Sequence, residues 1–223
     1  MEPRRWSELA ERNGRVVHPE TQLEHIVGAL DISSVPGLEA PLEGDLLGRQ
    51  LEVLVELLRT FTATPSICWF TVWEGYGFYG GGVSLSWSDD DPAIGRARER
   101  AEVERARRAA AQLDAVPKLA IQPSPEGGAM RSYFIFRGSI DAASGLEFNG
   151  SRQAPNLWWS DDRAWCVATE IDGYSTYVGG SARCVDAILA DQRLEALPLS
   201  TDLRFDLWSD RVNPRPPGMR ERW

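Results

Sequence analysis

Residues 45–74 read DLLGRQLEVLVELLRTFTATPSICWFTVWE, and this stretch decides the fold class. Leu47, Leu51, Leu54, Val55 and Leu58 recur at helical spacing while Arg49, Glu52, Glu56 and Arg59 fall on the opposite side, which predicts an amphipathic helix from Asp45 to Phe61. Thr62 to Pro65 ends it. From Ser66 to Glu74 the period changes to two and the residues become β-branched and aromatic. Alternation there places Cys68, Phe70 and Val72 on one face and Trp69, Thr71 and Trp73 on the other, as in a strand covered on both sides.

Toward the N-terminus the pattern stays helical. Trp6, Leu9 and Ala10 lie on one side of a short helix between Pro3 and Gly14, and Leu23, Ile26, Val27 and Leu30 face inward in a second helix from Pro19 to Leu30. Toward the C-terminus strands dominate: Val83–Trp87, Lys118–Gln122, Arg131–Ile140, Leu157–Trp159, Ala164–Ile171 and Ser175–Val178. A charged helix with an alanine stripe interrupts them between Ala93 and Leu113, supported by Arg and Glu four residues apart. Gly179-Gly180-Ser181 opens a last helix reaching about Ala190, with Ser181 as its cap. Helices and then consecutive strands, without regular βαβ alternation, predict an α+β fold: N-terminal helices (1–62) packed on a mixed, mainly antiparallel sheet (66–208). The expected organisation is one domain over 1–208 and a Pro/Arg-rich tail over 209–223.

Composition narrows the function classes. A net charge of -9 and a pI near 4.9 argue against nucleic acid and anionic membrane, where clustered positive charge is required, and favour a basic protein partner. Cys68, Cys166 and Cys184 are odd in number and lack metal or disulfide spacing. With no apolar leader before Gly14, they suggest a cytoplasmic protein in a reducing compartment. Lys118 is the only lysine, and no Gly-Lys-Ser/Thr phosphate loop exists.

The motifs carry little chemistry. Gly75 to Gly80 (GYGFYG) fits G-x-G-x-x-G after a strand, but the next residues are Gly81, Gly82 and a strand-like VSLSW rather than a phosphate-binding helix. It reads as an aromatic hairpin loop presenting Tyr76, Phe78 and Tyr79, and no cofactor is expected. Cys166 sits between Trp165 and Val167 and reads as a buried, inert thiol, and His18 and His25 complete no metal or catalytic pattern. Glu170 and Asp172 lie two apart at a strand end, and with Glu74 they form the best available carboxylate set for acid/base or divalent-metal chemistry. Nine tryptophans are a high share for this length. Trp69, Trp165 and Trp208 fall in apolar runs and read as core. Trp158 and Trp159 are adjacent on a strand, so one points inward and the other outward beside Asp161, Asp162 and Arg163.

WEGYG (Trp73 to Gly77), PNLWWSDDRAWCVATEID (Pro155 to Asp172) and STYVGG (Ser175 to Gly180) resemble a group of uncharacterised actinobacterial proteins, and the order of helices, strands and late helix is similar in layout to the SUKH superfamily of immunity proteins. The first resemblance brings no activity with it. The second implies a toxin-masking role. The expectation is a non-enzymatic immunity or inhibitor protein. Its acidic, aromatic surface of Tyr76, Tyr79, Trp158, Trp159, Asp161 and Asp162 would mask a basic partner, with Asp89 to Asp91 nearby if the fold allows. A carboxylate-based hydrolase or ligand-binding enzyme using Glu74, Glu170 and Asp172 is the alternative.

Overall fold

The computed structural model describes residues 5–38, 41–46, 48–76, 100–101, 104, 108, 111, 113–121, 131–148, 151–204 and 206–220. The chain forms two compact units, Met1–Leu46 together with Thr169–Trp223, and Leu47–Ala168. The helical block expected over 1–62 is therefore divided between them. The expected strand 83–87, Tyr79, Asp89 to Asp91 and the loop after Tyr76 lie outside the described residues. Within the expected helix 93–113 the described residues 100, 101, 104, 108, 111 and 113 are helical, and of these only Leu113 is buried.

Two short helices, α1 (Trp6–Arg12) and α2 (Leu23–Val27), precede the 47–168 unit in the chain, and that unit opens with α3 (Arg49–Arg59). Leu51, Leu54, Val55 and Leu58 are buried as the spacing requires, and Val53 joins them, while Glu52, Glu56 and Arg59 are exposed. The strands come next: β1 (Cys68–Trp73), β2 (Lys118–Ile121), β3 (Arg131–Gly138), a short antiparallel pair of β4 (Glu147–Phe148) and β5 (Ser151–Arg152), β6 (Leu157–Ser160) and β7 (Trp165–Thr169). Their sheet runs β2-β3-β1-β6-β7, with β4-β5 separate. The four pairs joining the five strands are all antiparallel, so the fold is α+β with no parallel pair among them.

Register explains the core. Phe70 stands between Phe136 and Trp158, and Trp158 is opposite Val167, so one face of the sheet is apolar across four strands. Phe70, Val72, Phe134 and Val167 are wholly buried, and Trp158 is 1% exposed. Trp158 stacks with Phe70 at 6.1 Å between centroids and meets the edge of Trp165 at 5.1 Å. Leu58→Ala in α3, a site with no solvent exposure, should lower stability by about 2–5 kcal/mol, read from the urea midpoint.

The other unit carries α1, α2, β8 (Thr176–Gly180) and α4 (Ala182–Ala190). Leu9, Ala10, Leu23, Ile26 and Ile32 form its buried apolar cluster. The second helix is shorter than the apolar pattern predicts, because Gly28 takes the left-handed conformation (φ 74°) and closes it directly after Val27. Ser181 caps α4 as expected, accepting the Cys184 N–H at 3.3 Å. Two corrections concern the C-terminal residues. Trp208 is 36% exposed, not core. Residues 209–213, assigned to the tail, include buried Ser209, Asp210 and Asn213. Among the described residues no helix is long and apolar enough to cross a membrane.

Candidate functional site

The sheet face opposite the core carries a row of cross-strand neighbours. Trp69 pairs with Arg137 on one side and Trp159 on the other, and Trp159 pairs with Cys166, so Arg137, Trp69, Trp159 and Cys166 share that face across β3, β1, β6 and β7. The Arg137 guanidinium lies over the Trp69 ring at 5.8 Å. Both tryptophans are half-buried and Arg137 and Cys166 are exposed. At the β6–β7 end, Trp159, Arg163, Trp165 and Cys166 line an open concavity of about 330 Å³.

Strand alternation separates the two adjacent tryptophans. Trp158 goes to the core and Trp159 to the concavity, so Trp158 drops out of the expected contact surface. Alternation also corrects Cys166: its buried neighbours Trp165 and Val167 point to the core, which sends the intervening thiol to the exposed face. Partial desolvation raises the Cys166 pKa, so the thiol stays protonated and lacks the activation of a nucleophile.

The two aspartates beside this row hold the backbone in place. Asp161 Oδ1 accepts the Trp69 indole N–H at 2.9 Å, fixing the ring that Arg137 covers. Asp162 accepts the Thr62 hydroxyl at 2.8 Å and the Ala63 N–H at 2.7 Å, and in return its own N–H donates to Thr64 Oγ1 at 3.2 Å. Burial alone would raise the Asp162 carboxyl. Hydrogen bonds from Ser160, Ala63, Thr62 and Ala164 outweigh it and hold the pKa down to about 2. A carboxyl shifted in this direction contributes stability above its ordinary range, and that contribution is lost as pH falls toward 2. Asp162→Asn should therefore cost about 1 kcal/mol at neutral pH and leave the urea midpoint less sensitive to acid below pH 4. Both aspartates remain exposed, so their charges still face solvent.

Arg163 completes the turn. Its N–H closes on Ser160 C=O at 2.8 Å, and its φ of 56° is the one positive value at a non-glycine residue among those described. Hairpins of this kind favour glycine in that position, and a side chain there costs about 1 kcal/mol. Arg163 is exposed and is one of the residues that line the concavity.

Of the other expected site residues, Glu74 and Tyr76 follow the end of β1 away from Trp69. Tyr76 ends a 3₁₀ turn (Glu74–Tyr76), meets the edge of Trp73 at 5.3 Å, and accepts the Asn156 side-chain N–H at 2.8 Å. Asn156, buried and unremarked in the sequence, also accepts the Trp73 N–H at 2.8 Å, so it locks the end of β1. Glu74 accepts from Lys118 Nζ at 2.7 Å, and that bond, with one from Ser132, holds its carboxyl below the ordinary range. Glu170 is half-buried just after β7, and Asp172 is exposed in the next turn. Among the described residues no group of three or more His, Cys, Asp or Glu side chains is arranged to hold a metal ion.

No protein-family model, curated protein or solved structure matches this chain.

Proposed function

We propose that this chain is a non-enzymatic binding protein of the immunity or inhibitor type, which captures a basic protein partner on the Trp69–Trp159 row and the β6–β7 turn. The observation that carries this reading is Trp159: a half-buried indole beside a concavity of about 330 Å³, next to two exposed carboxylates. Large aromatic surface held by a rigid sheet loses little conformational freedom on binding and makes an effective anchor. The neighbouring ring supplies the template. Arg137 already lies over Trp69, and a partner's arginine stacked on Trp159 would repeat that geometry, with Asp161 and Asp162 at the rim. The net charge of -9 steers such a partner at long range. All three thiols are free, in keeping with a cytoplasmic site of action.

Decaarginine serves as the probe. It should bind saturably at low ionic strength and progressively more weakly as salt screens charges beyond about 8 Å, and decaglutamate should not bind. Asp161→Asn should weaken the complex more than Asp186→Asn, an exposed change of equal charge on α4. Equal weakening by the two variants, or binding independent of salt, would remove the turn from the interface.

A further inference from the structure

His25 on α2 is buried with no solvent exposure, and neither ring nitrogen has a hydrogen-bond partner. Ionisable groups from three parts of the chain act on it: Arg15 from the residues after α1, His18 from those before α2, and Asp210 with Arg215 from the C-terminal segment. Asp210 is the one carboxylate in that set, and it is already committed. It accepts from His18 Nε2 at 2.9 Å, from the N–H groups of Val212 and Asn213 at 3.1 and 2.9 Å, and from Asn213 Nδ2 at 2.9 Å.

The segment bearing Asp210 and Arg215 is held by side chains. Asn213 pairs with the backbone of Val16, accepting its N–H at 2.9 Å and donating to its C=O at 2.8 Å. Ser209 donates to Glu20 C=O at 3.1 Å and accepts from Gln22 at 3.1 Å. Among the described residues the segment's own backbone–backbone bonds are internal, from Ser209 to Asp206 and from Met219 to Pro216. Such an attachment can open without unravelling a helix or strand.

We infer that proton uptake by His25 releases residues 206–220 from residues 15–22, making this unit an acid-opened latch. An imidazolium at this position would have no acceptor and would add a positive charge beside Arg15 and Arg215, and it gains an acceptor or water only if the segment moves. Burial, opposed by Asp210 and reinforced by Arg215 and Arg15, places the His25 pKa below its ordinary value of 6.5. The open form therefore takes up the proton first. Closure is at full strength above pH 6.5 and weakens as pH falls through that value. Asp210 does not produce this loss, because its hydrogen bonds hold its carboxyl below 3.8. Glu24, raised by burial, gains protons more readily when closed and so opposes opening at lower pH.

Hydrogen exchange of the full chain at pH 7.5 and 5.5, corrected for the intrinsic rate, tests the latch. Protection of residues 206–220 should fall about tenfold in the wild type, and His25→Phe should abolish the fall. Unchanged protection in the wild type, or the same fall in His25→Phe, would overturn the inference. Should His25→Phe fail to fold, the His25 ring resonance of the wild type decides. A midpoint below 6.5 that coincides with loss of protection supports the latch, and a midpoint at or above 6.5 refutes it.

Discussion

Trp158→Ala should lower the stability of the 47–168 unit by about 3–5 kcal/mol, whereas Trp159→Ala, one residue away, should cost under about 2. Trp158 is 1% exposed between Phe70, Trp165 and its cross-strand neighbour Val167, so truncation leaves a large void in the apolar face of four strands. Trp159 is half-buried beside a concavity open to solvent, where water can occupy the space that the ring leaves. Urea denaturation of the two variants measures the difference. The contrast matters for function because it separates loss of binding from loss of fold at adjacent positions. Similar destabilisation by both changes would mean that the Trp159 ring packs as core and cannot act as an anchor.

Asp210→Ala should be comparably severe for the other unit, at about 3–5 kcal/mol. Its side chain is fully buried and takes four hydrogen bonds, so removing it strands the His18 ring, two backbone N–H groups and the Asn213 amide without their acceptor. Asp210→Asn should recover part of the loss, since Oδ1 can still accept from His18. It also sets one amide N–H against another at Asn213 and therefore remains below the wild type. Thermal unfolding and exchange protection of residues 15–22 report this damage. Full stability in Asp210→Ala would show that the polar contacts of residues 209–213 contribute nothing to holding the segment.

Much of the fold can be read from the sequence because its strongest patterns coincide with its deepest burial. The leucine spacing of α3, the alternation of β1 and the Ser181 cap of α4 are local signals that the tertiary structure leaves intact. Where sequence and structure part, the cause is long-range or turns on one residue. Ser209, Asp210 and Asn213 look solvated by composition, but they are buried because partners almost two hundred residues earlier satisfy their polar atoms. Cys166 looks buried by association with its neighbours, yet alternation places it on the opposite face from them. The same alternation separates Trp158 from Trp159 without indicating which is inside, since that depends on the core formed by Phe70 and Trp165. Asp161 and Asp162 look like unpartnered surface charge. Their bonds to Trp69 and to residues 62–63 arise from a turn meeting a helix end some hundred residues away, which no local pattern encodes.

The placement of Trp159 as the partner-facing ring is tested most directly by tracking the nine indole N–H resonances while decaarginine is added at low ionic strength. Trp159 should shift as its face is covered, and Trp69 should shift with it, because its N–H reports on the Asp161 carboxylate that a guanidinium would approach. Trp158, enclosed in the core and absent from the lining of the concavity, should stay in place. Shifts confined to other indoles, or a Trp159 resonance that remains fixed at saturation, would contradict the proposed binding surface.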